Sequence, residues 1–371
     1  MEGRTMEKIF ASPSRYVQGK GMLKNGMKYI KALGSNVLII TDEDVWEIVG
    51  EELFETMKNE DMKPVKEIFG GEASEDEIER IGKKAKEEDV EVIVALGGGK
   101  AIDTGKAVAD DFKLPIAVLP TVASTDAPTS SLSVIYSDEG KFEGYRFYDK
   151  NPDLILIDTE VVANAPAELL AAGIADALAT LVEARAVSQS HSENMVSGAQ
   201  TAAAMAIAEK CEEIIFENAF KAMEANRAQV VTEAFEQIVE ANTLLSGLGF
   251  ESAGLAAAHA IHNGFTVLDG KIHELSHGEK VAYGTLTQMI LENAPQEELD
   301  KYIDLYQTLD LPTTLEDMYL DDASYEDLIK IGEQATIEEE TIHNMPMHVT
   351  PEDVAAALKA VDAYVTMYHP K

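Results

Sequence analysis

Through the first 158 residues, short unbroken apolar runs alternate with stretches whose apolar residues recur at helical spacing. The runs at 36–40 (NVLII), 65–69, 90–96 (VEVIVAL) and 154–157 are strand-like, and 44–59 and 74–88 read as the helices between them. Strands written as continuous Val/Ile/Leu runs, with a helix after each, are buried on both faces, which is the pattern of a parallel sheet covered by helices. The segment 132–147 (LSVIYSDEGKFEGYRF) predicts a hairpin turning at 138–140 (DEG).

After Asp158 the texture changes to Ala-rich helical periodicity with no convincing strand. The expected fold class is therefore an α/β N-terminal domain with a parallel Rossmann-like sheet, residues 1–162, followed by an all-α domain, residues 163–371. Two domains also suit 371 residues, a length beyond which one core stops growing. Trp46 and the methionines are expected in the core.

Charge narrows the choice of partners. The chain carries 67 acidic against 30 basic residues, a formal net charge of −37. Such a surface repels phosphate backbones and anionic lipid, so neither nucleic acid nor membrane is expected as a partner. No apolar run is long enough to span a bilayer, and no signal-peptide core opens the chain. Cys211 is the single cysteine, so no intrachain disulfide can form; a cytoplasmic protein is expected, with Cys211 an inert helix residue. A homo-oligomer is a separate expectation that these counts do not supply.

Directly after VEVIVAL come Gly97, Gly98, Gly99 and Lys100, then a helical stretch. Glycines between a buried strand and a helix let backbone approach a phosphate, and the helix N-terminus offers unpaired N–H groups. The full G-x-G-x-x-G fingerprint is absent, because Ile102 occupies the third glycine position, and a plain tight turn is the alternative. Asp42, past the strand ending at Ile40, could accept from ribose hydroxyls and repel a 2′-phosphate, or could simply cap the following helix. The stretch 119–130 (LPTVASTDAPTS) holds hydroxyls and a carboxylate between prolines, a rigid polar surface suited to a cofactor or a polyol.

Four of the eight histidines lie in 254–284. His259 and His262 are three apart and His273 and His277 four apart, so each pair is expected on one helix face. One metal reading takes His273-Glu274-Leu275-Ser276-His277 as the H-E-x-x-H of a zinc protease, with Glu297 or Glu298 as a third ligand. The other joins His277 to His259 and a carboxylate from elsewhere; Asp176, in the middle of an apolar helical face, is the candidate. Packing histidines without metal, and an Asp176 paired with an arginine, are the alternatives. His343 and His348 are read as surface residues.

Taken together, TDEDVW, GGGKAIDTGKAVAD, PTVASTDAPTSSLSVIYS, FYDKNPDLILIDT, GIADALAT, FESAGLAAAHAIHNGFT and HGEKVAYG resemble, in order and over nearly the whole chain, the glycerol dehydrogenases of the group III, iron-type metal-dependent alcohol dehydrogenase family. The resemblance implies an active site in a cleft between the two domains. It places metal ligands at Asp176, His259 and His277. Cofactor contacts fall on Asp42, Gly97, Gly98, Gly99, Lys100, Thr121, Ser124, Ser130, Leu132 and Tyr136, and a polyol contact on Asp126. Iron-using members carry a histidine where this chain has Thr180; three protein ligands with an open position suit zinc rather than iron.

The implied reaction is reversible NAD-dependent oxidation of glycerol at C2 to dihydroxyacetone, the zinc lowering the pKa of the C2 hydroxyl before hydride passes to the nicotinamide. Asp126 would orient a terminal hydroxyl, and the proton would leave through bound water or His262, for which packing beside His259 or donation to a neighbouring group is the alternative. Alternatives are a lyase of the dehydroquinate synthase type, or dehydrogenation of propane-1,2-diol or of glycerol 1-phosphate. The last is disfavoured, because residues 121–133 contain no cation to meet a phosphate.

Overall fold

The computed structural model describes residues 7–138 and 142–370. Two compact units divide the chain: one from Ser12–Leu170 and Phe220–Gly247, the other from Ala171–Ala219, Leu248–Lys371 and the segment up to Ala11. Among the described residues no named strand lies beyond Asp158, so the change of texture near residue 160 is a change of secondary structure. The chain leaves the sheet-bearing unit at Leu170 and rejoins it from Phe220 to Gly247.

The sheet-bearing unit holds strands β1 (Tyr16–Gly19), β2 (Asn36–Thr41), β3 (Lys63–Ile68), β4 (Val92–Gly97), β5 (Ile116–Pro120), β6 (Leu132–Tyr136), β7 (Phe142–Phe147) and β8 (Leu154–Asp158). Six of them form one sheet in the order β1-β8-β5-β4-β2-β3, parallel throughout. Alternate residues pack to opposite faces and both faces are buried: Val37, Ile39, Val92 and Val94 join one core cluster, while Leu38, Ile40, Ile93 and Ala95 are equally inaccessible on the other side. β6 and β7 pair antiparallel as the expected hairpin; residues 139 and 140 of its turn lie outside the described residues.

Strand order changes direction between β2 and β4, because the chain steps outward from β2 to β3 and then returns to β4 on the other side. At such a switch point the loops after two neighbouring strands diverge and leave a crevice at their C-terminal ends. Asp42 follows β2 and Gly97–Gly99 close β4, so both sequence candidates sit at this point. The helix expected at 44–59 contains a π-helical turn, Trp46–Gly50, between Glu43–Val45 and Glu51–Asn59. A Cβ on Gly50 would stand 2.6 Å from the Trp46 ring, so the absent side chain makes room for the indole. Trp46 is only half-buried, against Phe54 with Lys66 Nζ 4.2 Å from the ring centroid, and Met347 and Met367 are exposed. The expectation of a core role fails for these three.

The other unit is helical, and no single helix in the described chain is long and apolar enough to cross a membrane. Ion pairs join surface side chains for the most part, many of them three or four residues apart on one helix, where water and salt leave each one weak. Against a net charge of −37 they leave a large uncompensated repulsion. Raising ionic strength from ~0.01 M to ~1 M shortens the screening length from roughly 30 Å to 3 Å. Screening of the repulsion outweighs the loss of these pairs, so the melting temperature by calorimetry is expected to rise with KCl; a fall would contradict this balance.

Candidate active site

Asp176 lies on the helix Ala167–Ser190, fully buried among alanines and leucines. His259 stands on the helix Ala257–Gly264, and His277 is the first residue of the helix His277–Leu291. Two glycines of that third helix let it lie against the other two. A Cβ on Gly278 would fall 1.9 Å from the carbonyl oxygen of Ala172, and one on Gly284 would fall 2.5 Å from that of Ala258. No side chain fits at either contact, and the close approach brings all three functional groups to one point.

There Asp176 Oδ1 is 3.3 Å from His259 Nε2 and 3.2 Å from His277 Nε2, and one donor atom from each residue lies within 4.8 Å of the others. Donors bound tetrahedrally at about 2.1 Å from zinc stand ~3.4 Å apart, so this spacing fits a first coordination sphere. Burial works against the Asp176 carboxylate, but the imidazoles of His277 and His259 outweigh it and hold its pKa far below the usual carboxylate range.

Glu183, absent from the residues expected on sequence, organises His259. It lies seven residues beyond Asp176 on the same helix, fully buried, with Oε2 2.6 Å from His259 Nδ1. Its Oε1 accepts the backbone N–H groups of Ala256 at 2.9 Å and His259 at 3.0 Å. A proton held on Nδ1 by Glu183 would leave Nε2 as the atom to meet a metal, the tautomer a ligand requires. Burial works against charge on His259 as well; Glu183 and Asp176 outweigh it and raise its pKa. The signal for Glu183 was a second carboxylate two helical turns from Asp176 in an apolar helix.

His262 is buried one turn beyond His259, its ring centroid 4.3 Å from that of His277. Its Nδ1 is 3.0 Å from Asn263 Oδ1, and Asn263 Nδ2 donates to Glu340 Oε1 at 2.9 Å. Burial, with His277, Lys280 and His259 nearby, pushes the His262 pKa well down, so the ring is neutral. Burial also pushes Glu340 up to about 7.

The zinc-protease reading fails on backbone geometry. His273 and Glu274 belong to a short 3-10 turn, Leu275 is extended, and Ser276 caps a new helix whose first residue is His277. The two histidines share no helix face, contrary to expectation, and His273 is exposed, near the carbonyl of Leu268. The helix from His277 runs on through Leu291 on a Ser276–Glu279 capping box. Glu297 is exposed and Glu298 pairs with Arg185, so neither joins the cluster. His343 and His348 are surface residues, as expected.

In the sheet-bearing unit, Gly97 takes φ 148°, a backbone open to glycine, and turns β4 into the helix Gly99–Phe112. A Cβ on Gly97 would come 3.8 Å from Asp42 Oδ2, one on Gly98 3.8 Å from Val122, and one on Gly99 3.7 Å from Thr125 Oγ1. The glycine turn, Asp42 and the loop after β5 therefore share one patch. Asp42 also caps its helix, its Oδ1 accepting the Val45 N–H at 2.7 Å. Lys100 is exposed and paired with Glu72 at 2.5 Å. Its Nζ is 5.7 Å from the ring of Tyr136, a phenol that burial, with Asp103 and Glu72 nearby, pushes up to about 12. Thr121 is buried and its N–H donates to the Gly97 carbonyl at 3.2 Å, while Ser124 is half-buried.

Ser130 and Leu132 are tied to a residue missed in the sequence, the buried Lys106, whose Nζ donates to Ser130 Oγ at 3.1 Å, the Leu132 carbonyl at 3.0 Å and the Ala127 carbonyl. Asp126 is buried in the same loop and accepts from Ser246 Oγ at 2.7 Å.

The pattern of the "Iron-containing alcohol dehydrogenase" family matches residues 13–159. A glycerol dehydrogenase of Citrobacter freundii is 45% identical over 96% of this chain and 98% of its own. A glycolaldehyde reductase of Halobacterium salinarum is also 45% identical, over the same shares. The crystal structure of glycerol dehydrogenase from Schizosaccharomyces pombe superposes with a TM-score of 0.95 at 42% identity, covering 98% of this chain and 92% of that one.

Replacing Glu183 by Gln should cut divalent-metal affinity about 10- to 100-fold with little loss of helix content, because the His259 tautomer is no longer held. Zinc titration with a competing chelator measures this; unchanged affinity would remove the role given to Glu183.

Proposed function

The chain belongs to the iron-containing alcohol dehydrogenase family, together with the glycerol dehydrogenases, and on that basis we propose that it oxidises glycerol at C2 to dihydroxyacetone with NAD. The observation that carries the proposal is the Asp176–His259–His277 cluster, whose donors stand at coordination spacing with the His259 tautomer fixed. These three residues would hold a divalent ion, zinc rather than iron, since Thr180 stands one turn beyond Asp176 and leaves three protein ligands. A zinc there supplies a Lewis acid that lowers the pKa of a hydroxyl near it.

The remaining work falls to the chain's own side chains. Gly97–Gly99 and the N-terminus of the helix after them receive the pyrophosphate, and Asp42 accepts from the ribose and repels a 2′-phosphate. Thr121, Ser124, Ser130, Leu132, Tyr136 and Lys100 line the rest of the cofactor patch, with Lys106 fixing the loop. Asp126 orients a terminal hydroxyl of the polyol. A nicotinamide cofactor bound there would supply the acceptor for the C2 hydrogen and its electron pair. The hydroxyl proton passes to Nε2 of His262, whose Nδ1 is engaged by an Asn263 amide that Glu340 orients.

We place the enzyme in the cytoplasm as a homo-oligomer acting on small polyols; light scattering tests the oligomer. The Halobacterium relative supports a second substrate, glycolaldehyde, taken in the reducing direction.

Steady-state assays of zinc-loaded protein with NAD and a panel of glycerol, propane-1,2-diol, ethylene glycol and glycerol 1-phosphate test the reading, with glycolaldehyde and NADH in reverse. Glycerol should give the highest kcat/KM; absence of NAD-dependent turnover of every vicinal diol would overturn the proposal. His277→Ala should lose zinc and turnover together, and an active metal-free variant would refute the ligand set. Asp42→Gly should narrow the preference for NAD over NADP by roughly tenfold or more, the scale of one lost charge repulsion of a few kcal/mol; an unchanged ratio would remove its role.

A further inference from the structure

The loop that carries Asp126 is fastened from one side by a short segment far along the chain. Residues Ala241–Leu245 form a π-helical turn between the helices Glu233–Glu240 and Ser246–Ala253. Such turns are uncommon and often stand at functional positions, because the extra residue re-aims the side chains around it. Here Asn242 Nδ2 donates to the carbonyl oxygen of Ala123 at 2.9 Å, and Ser246 Oγ, fully buried, is 2.7 Å from Asp126 Oδ2. Gly247 lies against the other end of the loop: a Cβ there would stand 1.9 Å from Thr129 Oγ1 and 3.0 Å from the Asp126 carbonyl oxygen. Three successive attachments thus reach Ala123, Asp126 and Thr129.

We propose that Ser246 is a positioning and specificity-determining residue: by donating to Oδ2 it fixes the rotamer of Asp126 and so sets the preference for a substrate with a third hydroxyl. A carboxylate on a buried side chain has few rotamers open to it, and a hydrogen bond from a neutral donor to a charged acceptor is strong enough to choose among them. The donor opens the helix directly after that turn; Asn242 within the turn holds the backbone of the acceptor's loop, and Gly247 beside Ser246 packs against it. Side chain and main chain of Asp126 are therefore referenced to one rigid piece. This inference rests on the reading of Asp126 as the contact for a terminal polyol hydroxyl.

The test compares kcat and KM for glycerol, which has a hydroxyl on C3, with those for propane-1,2-diol, which has none. Zinc-loaded wild type, Ser246→Ala and Asp126→Asn are assayed with NAD, with zinc content and NADH binding measured on each. Ser246→Ala is expected to lower the ratio of kcat/KM for glycerol over propane-1,2-diol on the order of tenfold, mainly through KM for glycerol, at unchanged zinc content. Ser246→Thr, which keeps the hydroxyl, should restore the ratio. If Asp126→Asn lowers the ratio and Ser246→Ala does not, the inference is overturned while the reading of Asp126 stands. If neither lowers it, the reading of Asp126 itself fails. Should Ser246→Ala not accumulate as folded protein, Ser246→Cys, near in volume and a weak donor, is read by the same ratio.

Discussion

A carboxylate sealed in an apolar helix is the constraint on which the helical unit depends. Asp176 is buried, and the two imidazoles that face it at 3.2 and 3.3 Å make its charge tolerable. Each imidazole in turn has to be brought to that point by a different helix. One of those helices starts at the histidine itself, behind a capping box, and the other is fixed by the two backbone N–H bonds and the ring contact to Glu183. The local order runs from helix caps and helix contacts to charge compensation, and the spacing suited to a divalent ion results from it.

The sheet-bearing unit reaches its own chemistry by a different route. Its crevice is a consequence of strand order, and its rim is formed by the segments that leave the C-terminal ends of β2, β4 and β5: Asp42, the glycine turn, and the loop from Thr121. The buried Lys106 holds that loop from the helix side, as Asn242 in the π-helical turn Ala241–Leu245 and Ser246 directly after it hold it from the other. Loops that carry function are ordinarily the mobile part of a fold; this one is tied down along most of its length.

The parallel sheet was legible because strands buried on both faces cannot help being written as continuous apolar runs, and Asp176 was legible because a carboxylate in the middle of an apolar helical face demands a partner. Glu183 was not recognised, although its spacing from Asp176 stated the relation, because an Ala-rich helix gives no indication of which faces are sealed. Nor could periodicity reveal that Leu275 is extended, which separates His273 from His277; the capping pair Ser276 and Glu279 was the cue, and it overlapped the H-E-x-x-H pattern. The return of Phe220–Gly247 to the sheet-bearing unit was equally hidden, since helical periodicity says that a face is buried and not against what.

Gly278 and Gly284 contribute no group to the chemistry, yet the backbone oxygens of Ala172 and Ala258 occupy the space where their side chains would begin. The precision of the cluster is thus stored in two positions defined by what they lack. A survey of the chain ranked by reactive groups would pass over both, while random mutagenesis would find them among the least forgiving sites in the helical unit.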